Sequence, residues 1–119
     1  MVLREITEIL EATVICRPKD LDLEGLNIQS VCSADLMSDV LYYHFLDSLL
    51  ITGLIQINVI RTAEIADTKA IVFVMNKKPD WRTIELAEQK NIPLLSTPYC
   101  MYTASGRLYQ AGLRNSRNA

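Results

Sequence analysis

Four times along this chain of 119 residues, a short apolar run gives way to small polar residues and then to a segment with helical spacing. The instances are Ile28–Ser33 into Ala34-Asp35-Leu36, Leu49–Thr52 into Gly53-Leu54, Ala70–Met75 into Asn76-Lys77-Lys78-Pro79-Asp80, and Ile92–Leu95 into Ser96-Thr97-Pro98. Strands alternating with helices in this way build βαβ units, and in open α/β sheets ligands sit outside the carboxyl ends of the strands. The pattern predicts a single α/β domain with a mostly parallel central sheet of about five strands and flanking helices. It would gather Ser33, Asp35, Thr52, Asn76, Ser96 and Thr97 along one rim. The competing arrangement is a two-layer fold with an antiparallel edge strand from Thr13 to Cys16.

Half of the residues are hydrophobic and the net charge is −2, a globular balance without the positive field that gathers nucleic acid or anionic lipid. Cys16, Cys32 and Cys100 lie far apart and there is one histidine, which leaves zinc almost nothing to bind. Unpaired thiols without a secretion signal point to a reduced, cytoplasmic protein. Leu49 to Ile60, the greasiest stretch, is broken by Thr52, Gln56 and Asn58 and falls short of the roughly 20 residues a membrane span needs. No nucleic-acid, membrane, metal or cofactor partner is expected.

Leu3, Ile6 and Leu10 set an opening helix within residues 1–12. Asp35 reads as the N-cap of a helix that runs to Leu46, Asn58 as the cap of the next, and Thr97-Pro98 as the start of the last, because these residue types accept from free first-turn N–H groups or spare one. Pro79-Asp80 opens the fourth helix, Asn91 closes it, and Gly112 stops the fifth. The tail, residues 114–119, is polar and expected to fray.

The candidate ligand-binding residues are Asp35, Ser38, Asp39, Thr52, Arg61, Ser96, Thr97 and Tyr99. A strand end running into a helix start offers N–H groups to an anion. Asp39, one turn beyond Asp35, could hold a ribose hydroxyl or a cation. Ser96 and Thr97 could grip a phosphate with Tyr99 stacking beside them, and Arg61 sits where the helix dipole does not favour a cation. For each there is a plainer account, namely capping or an ordinary surface charge. His44, among Tyr42, Tyr43 and Phe45, reads as a packed or interfacial histidine. No catalytic set emerges: G-x-x-x-x-G-K-[ST], G-x-G-x-x-G and G-x-S-x-G are all missing, and Asp35 or Asp39 as a general base would lack a partner. Gly106 inside the last helix costs about 1 kcal/mol relative to Ala and is read as room for another element, such as the two-fold mate of a homodimer.

The order of these segments resembles the DRTGG domain over nearly the whole chain. The resemblance is carried by Ser33 to Val40, Leu50-Ile51-Thr52-Gly53, Asn58 to Ala63, Ala70 to Val74 and Ile92 to Thr97. It is similar to stand-alone DRTGG proteins, to the amino-terminal domain of HPr kinase/phosphorylase, and to inserts in phosphotransacetylases and CBS-containing pyrophosphatases. In none of these is it the catalytic part. The eponymous motif is degenerate: Ile60-Arg61 replaces Asp-Arg, and Met75-Asn76-Lys77 stands where the family has Thr-Gly-Gly. The resemblance implies a regulatory module. The residues together predict binding of a small anionic ligand, a nucleotide among the options, with a dimerisation or protein-interaction adapter as the alternative.

Overall fold

The computed structural model describes residues 1–43 and 46–115. Its elements are α1 (Leu3–Ile9), β1 (Thr13–Cys16), β2 (Ser30–Ser33), α2 (Met37–Tyr43), β3 (Ser48–Thr52), α3 (Asn58–Ile65), β4 (Ala70–Phe73), α4 (Trp81–Gln89), β5 (Leu94–Ser96), α5 (Met101–Gln110) and β6 (Arg114–Asn115). The strands form one sheet in the order β1-β5-β4-β3-β2-β6, in which all neighbours are parallel except β1 and β5. The mostly parallel sheet is as expected, with six strands. It also carries the antiparallel edge strand Thr13–Cys16 of the competing arrangement, without that arrangement's two layers.

Two apolar clusters fix three layers. Leu3, Ile6 and Leu10 of the first helical segment and Ala104 and Leu108 of α5 pack with Leu49, Ile51, Val72 and Leu95 on one face. Val40 of α2, Val59, Ile60 and Ala63 of α3 and Ala87 of α4 pack with Leu50, Ile71, Phe73 and Leu94 on the other. Every residue of β3 and β4 is buried, as central strands covered by two helical layers must be.

Four helices stop in the same way. A residue turns left-handed (Glu11, Asp67, Asn91 or Gly112), and the next N–H reaches back five residues, as in Ala12 N–H to Thr7 O at 2.9 Å and Leu113 N–H to Leu108 O at 3.0 Å. Glu11 ends α1 earlier than the apolar spacing suggests. Asn91 and Gly112 act as expected.

Three expected caps are corrected. Asp35 lies outside α2 and bonds across to the end of β3. Asn58 is the first residue of α3, whose N-cap is Ile57 with no side-chain bond, because the chain is already helical there (φ −59°, ψ −28°). The last helix begins at Met101 after Cys100, and Thr97 is occupied elsewhere. Asp80 does cap α4, accepting from Thr83 N at 3.0 Å. The tail expected to fray begins instead with β6, whose backbone pairs with Ser30 and Val31. His44, Phe45 and residues 116–119 lie outside the described residues. Among the described residues no helix is long and apolar enough to cross a membrane.

Candidate functional site

The carboxyl ends of β2 to β5 form one rim, and half of it is filled by the protein's own hydrogen bonds. Asp35 Oδ1 accepts from Gly53 N at 2.7 Å and from Thr52 Oγ1 at 3.0 Å. The fully buried Thr52 hydroxyl in turn accepts from Leu54 N at 3.1 Å. Lys77 Nζ donates to Gly53 O at 3.2 Å, and the buried Ser96 hydroxyl donates to Lys77 O at 2.9 Å. Asp35, Thr52 and Ser96 therefore do meet, bridged by Lys77, in a network that already satisfies most of its donors.

Between β4 and β5, helices leave the sheet on opposite faces, α4 to one and α5 to the other. Such a switch point is where α/β sheets usually open a ligand crevice. Here Asn76 N donates to Thr97 O at 2.8 Å and Met75 N to Tyr99 O at 2.9 Å, which close it. Met75 and Asn76 have φ of 54° and 57°, the left-handed region that glycine adopts at no cost.

Thr97 is fully buried, and its hydroxyl donates to Leu10 O at 2.6 Å and accepts from Tyr99 N at 3.3 Å. It clamps the end of the first helical segment to the end of β5. Tyr99 faces the same layer: its hydroxyl donates to Glu11, a bond that raises the phenol above its usual range, and the Arg107 guanidinium stacks 4.2 Å from its ring centroid. Ser38 and Asp39 are exposed on α2 and Arg61 is exposed on α3. Thus the eight candidates do not form one constellation.

The open part of the rim lies at the end of β2. A cavity of about 230 Å³ is lined by Ser33, Ser105, Tyr109 and Arg114, among others, and one of about 240 Å³ by Ser33, Asp39, Tyr43 and Asn115. Ser33 and Ser105 hydroxyls stand 2.7 Å apart between α5 and β2. Arg114 lies over the Tyr109 ring at 4.7 Å. Of these residues only Asp39 is among the eight candidates. Ser105, Tyr109 and Arg114 lie on α5 and β6, which follow the last apolar run of the sequence and so fall outside its strand-end pattern. Among the described residues no three His, Cys, Asp or Glu side chains converge as metal ligands.

A family model for the DRTGG domain matches residues 5–111. The chain belongs to the DRTGG domain family. Among solved structures, this DRTGG domain is similar to the crystal structure of the CBS and DRTGG domains of the regulatory region of Clostridium perfringens pyrophosphatase, complexed with its activator diadenosine tetraphosphate. The TM-score is 0.73 at 20% identity, over 92% of this chain and 46% of that one. The likeness is one of fold, and the DRTGG domain spans less than half of the pyrophosphatase region. No curated protein matches the sequence.

Proposed function

We propose that this DRTGG domain is a non-catalytic regulatory module that binds a small anionic ligand of the nucleotide class at the carboxyl end of its sheet. One observation carries the reading. The rim is sealed by internal hydrogen bonds from Asp35 to Thr97, yet at the end of β2 it stays open and is lined by hydroxyl, carboxylate, aromatic and guanidinium groups. Concave sites with a few convergent polar groups are the usual places for small ligands. The similar pyrophosphatase region was crystallised with a nucleotide activator, which supports the ligand class. Of the eight candidate residues, Asp39 keeps a direct role in this reading, and Asp35, Thr52, Ser96 and Thr97 belong to the sealed part of the rim. A thermal-shift screen of nucleotides and phosphorylated metabolites tests it. A ligand at 100 times its Kd adds about 2.7 kcal/mol, and a screen with no shift overturns the reading.

The exposed face of α5 favours a second reading, an adapter that dimerises. Tyr102 and Tyr109 are 87% and 62% exposed, and nothing approaches Gly106 within 4 Å of an added Cβ. Gly106 therefore does not admit a neighbour from its own chain, as a two-fold mate would require. Sedimentation of the wild type and of Gly106→Leu decides: a dimer lost on substitution supports the adapter, and a monomer at all concentrations removes it.

A further inference from the structure

We infer, resting on the binding-module reading above, that the furrow across the end of β2 takes a nucleoside phosphate, with Arg114 on the phosphate, Tyr109 under the base and Asp39 on the ribose hydroxyls. Size comes first. Cavities of about 230 and 240 Å³ are each smaller than the roughly 300 Å³ at which small-ligand pockets begin. Both are lined by Ser33 and Asn115, so they adjoin, and an occupant of ordinary metabolite size must extend across the end of β2 from one to the other.

The two halves differ in chemistry. On the α5 and β6 side are a guanidinium and an exposed aromatic ring, Arg114 and Tyr109. Arginine presents a planar fork of donors that matches phosphate oxygens two at a time, and a tyrosine face stacks any base. On the α2 side is the exposed carboxylate of Asp39, an acceptor of hydroxyl donors. A free phosphate filling the furrow would meet Asp39 with like charge, and a neutral sugar would leave Arg114 unused. A molecule with its anion at one end and a diol further along satisfies both.

The backbone explains why Arg114 is available. Gly112, at φ 102°, turns the chain out of α5, and the buried Leu113 anchors it. Arg114 and Asn115 then pair beside Ser30 and Val31. The strand that makes the far wall of the furrow is thus the one that delivers its cation.

The test is calorimetric titration of the full chain with AMP, ATP, ribose 5-phosphate and inorganic phosphate. The variants are Arg114→Ala, Arg114→Lys, Tyr109→Ser and Asp39→Asn, with Lys77→Ala as a rim control outside the furrow. All four positions are exposed, and thermal unfolding checks that each of the five variants folds. AMP or ATP should bind the wild type, each alanine, serine or asparagine variant in the furrow should weaken binding about tenfold or more, Arg114→Lys should weaken it less, and Lys77→Ala should not. Nucleotide binding that survives in the furrow variants overturns this assignment and leaves the binding-module reading intact. Ribose 5-phosphate or inorganic phosphate bound as tightly as AMP overturns the nucleoside. If no phosphate compound binds, both fall.

Discussion

Replacing Thr97 with valine separates a clamp from a ligand residue. Valine fills the same space, so no cavity opens, and only the hydroxyl is lost. Its loss leaves Leu10 O without the 2.6 Å donor and Tyr99 N without its 3.3 Å acceptor, at a position with no solvent exposure to replace them. A buried polar group left unpaired costs about 1–3 kcal/mol; the short bond to Leu10 carries most of this and the long one to Tyr99 little, so the expected loss is about 2 kcal/mol. With a urea slope of about 1.5 kcal/mol/M for a domain of this size, the unfolding midpoint should fall by about 1.3 M at unchanged slope. Equilibrium urea unfolding followed by circular dichroism measures it, and nucleotide affinity of the folded variant is measured alongside. A loss under about 0.5 kcal/mol, or a loss of nucleotide affinity without one of stability, would refute the clamp.

Four further outcomes follow from backbone geometry and capping. Neither Gly106 nor Gly112 has a neighbour within 4 Å of an added Cβ, so alanine tests conformation alone: Gly106→Ala, in a helix, should stabilise by about 1 kcal/mol, and Gly112→Ala, at φ 102°, should destabilise by a similar amount in thermal melts. Met75→Gly removes a left-handed cost of about 1–2 kcal/mol against about 0.4–1 kcal/mol of added unfolded-state freedom, so a small net gain is expected in the same melts, and a loss would show that the Met75 side chain contributes. Bonds from the Thr83 backbone N–H and hydroxyl hold the Asp80 carboxyl below its ordinary range, so the cap's contribution is present above the usual carboxylate pKa and vanishes as pH falls through the lowered value. Asp80→Ala should be less stable than wild type at neutral pH and indistinguishable from it at strongly acidic pH, by urea unfolding at each pH.

The interior of this fold was legible wherever burial dictates residue type. Leu49 to Ile51 and Ala70 to Phe73 are apolar because both faces are covered, and Thr13 to Cys16 is a β-prone run stopped by Arg17-Pro18. β6 gave no such signal, since Arg114 and Asn115 are exposed and join the sheet through backbone alone. Asp35 and Thr97 show the limit of local chemistry. Each has the oxygen a helix start would use, but a partner brought near by the sheet claims it, Gly53 N for one and Leu10 O for the other. Of the residues lining the cavities at the end of β2, Asp39 is a candidate in the sequence, whereas Arg114 goes with β6, which carries no apolar run.

The two outer strands also bear on how the chain assembles. β2 to β5 pair with neighbours in sequence, each within one helical crossover, while β1 reaches β5, and β6 reaches β2, across roughly eighty residues. Closing loops of that length costs entropy that two or three ladder pairs repay only once the centre exists. Both margins are therefore expected to join last and open first. Amide exchange should be fastest at β1 and β6 and slowest at β3 and β4, which makes the wall that holds Arg114 the part of the sheet a bound molecule protects most.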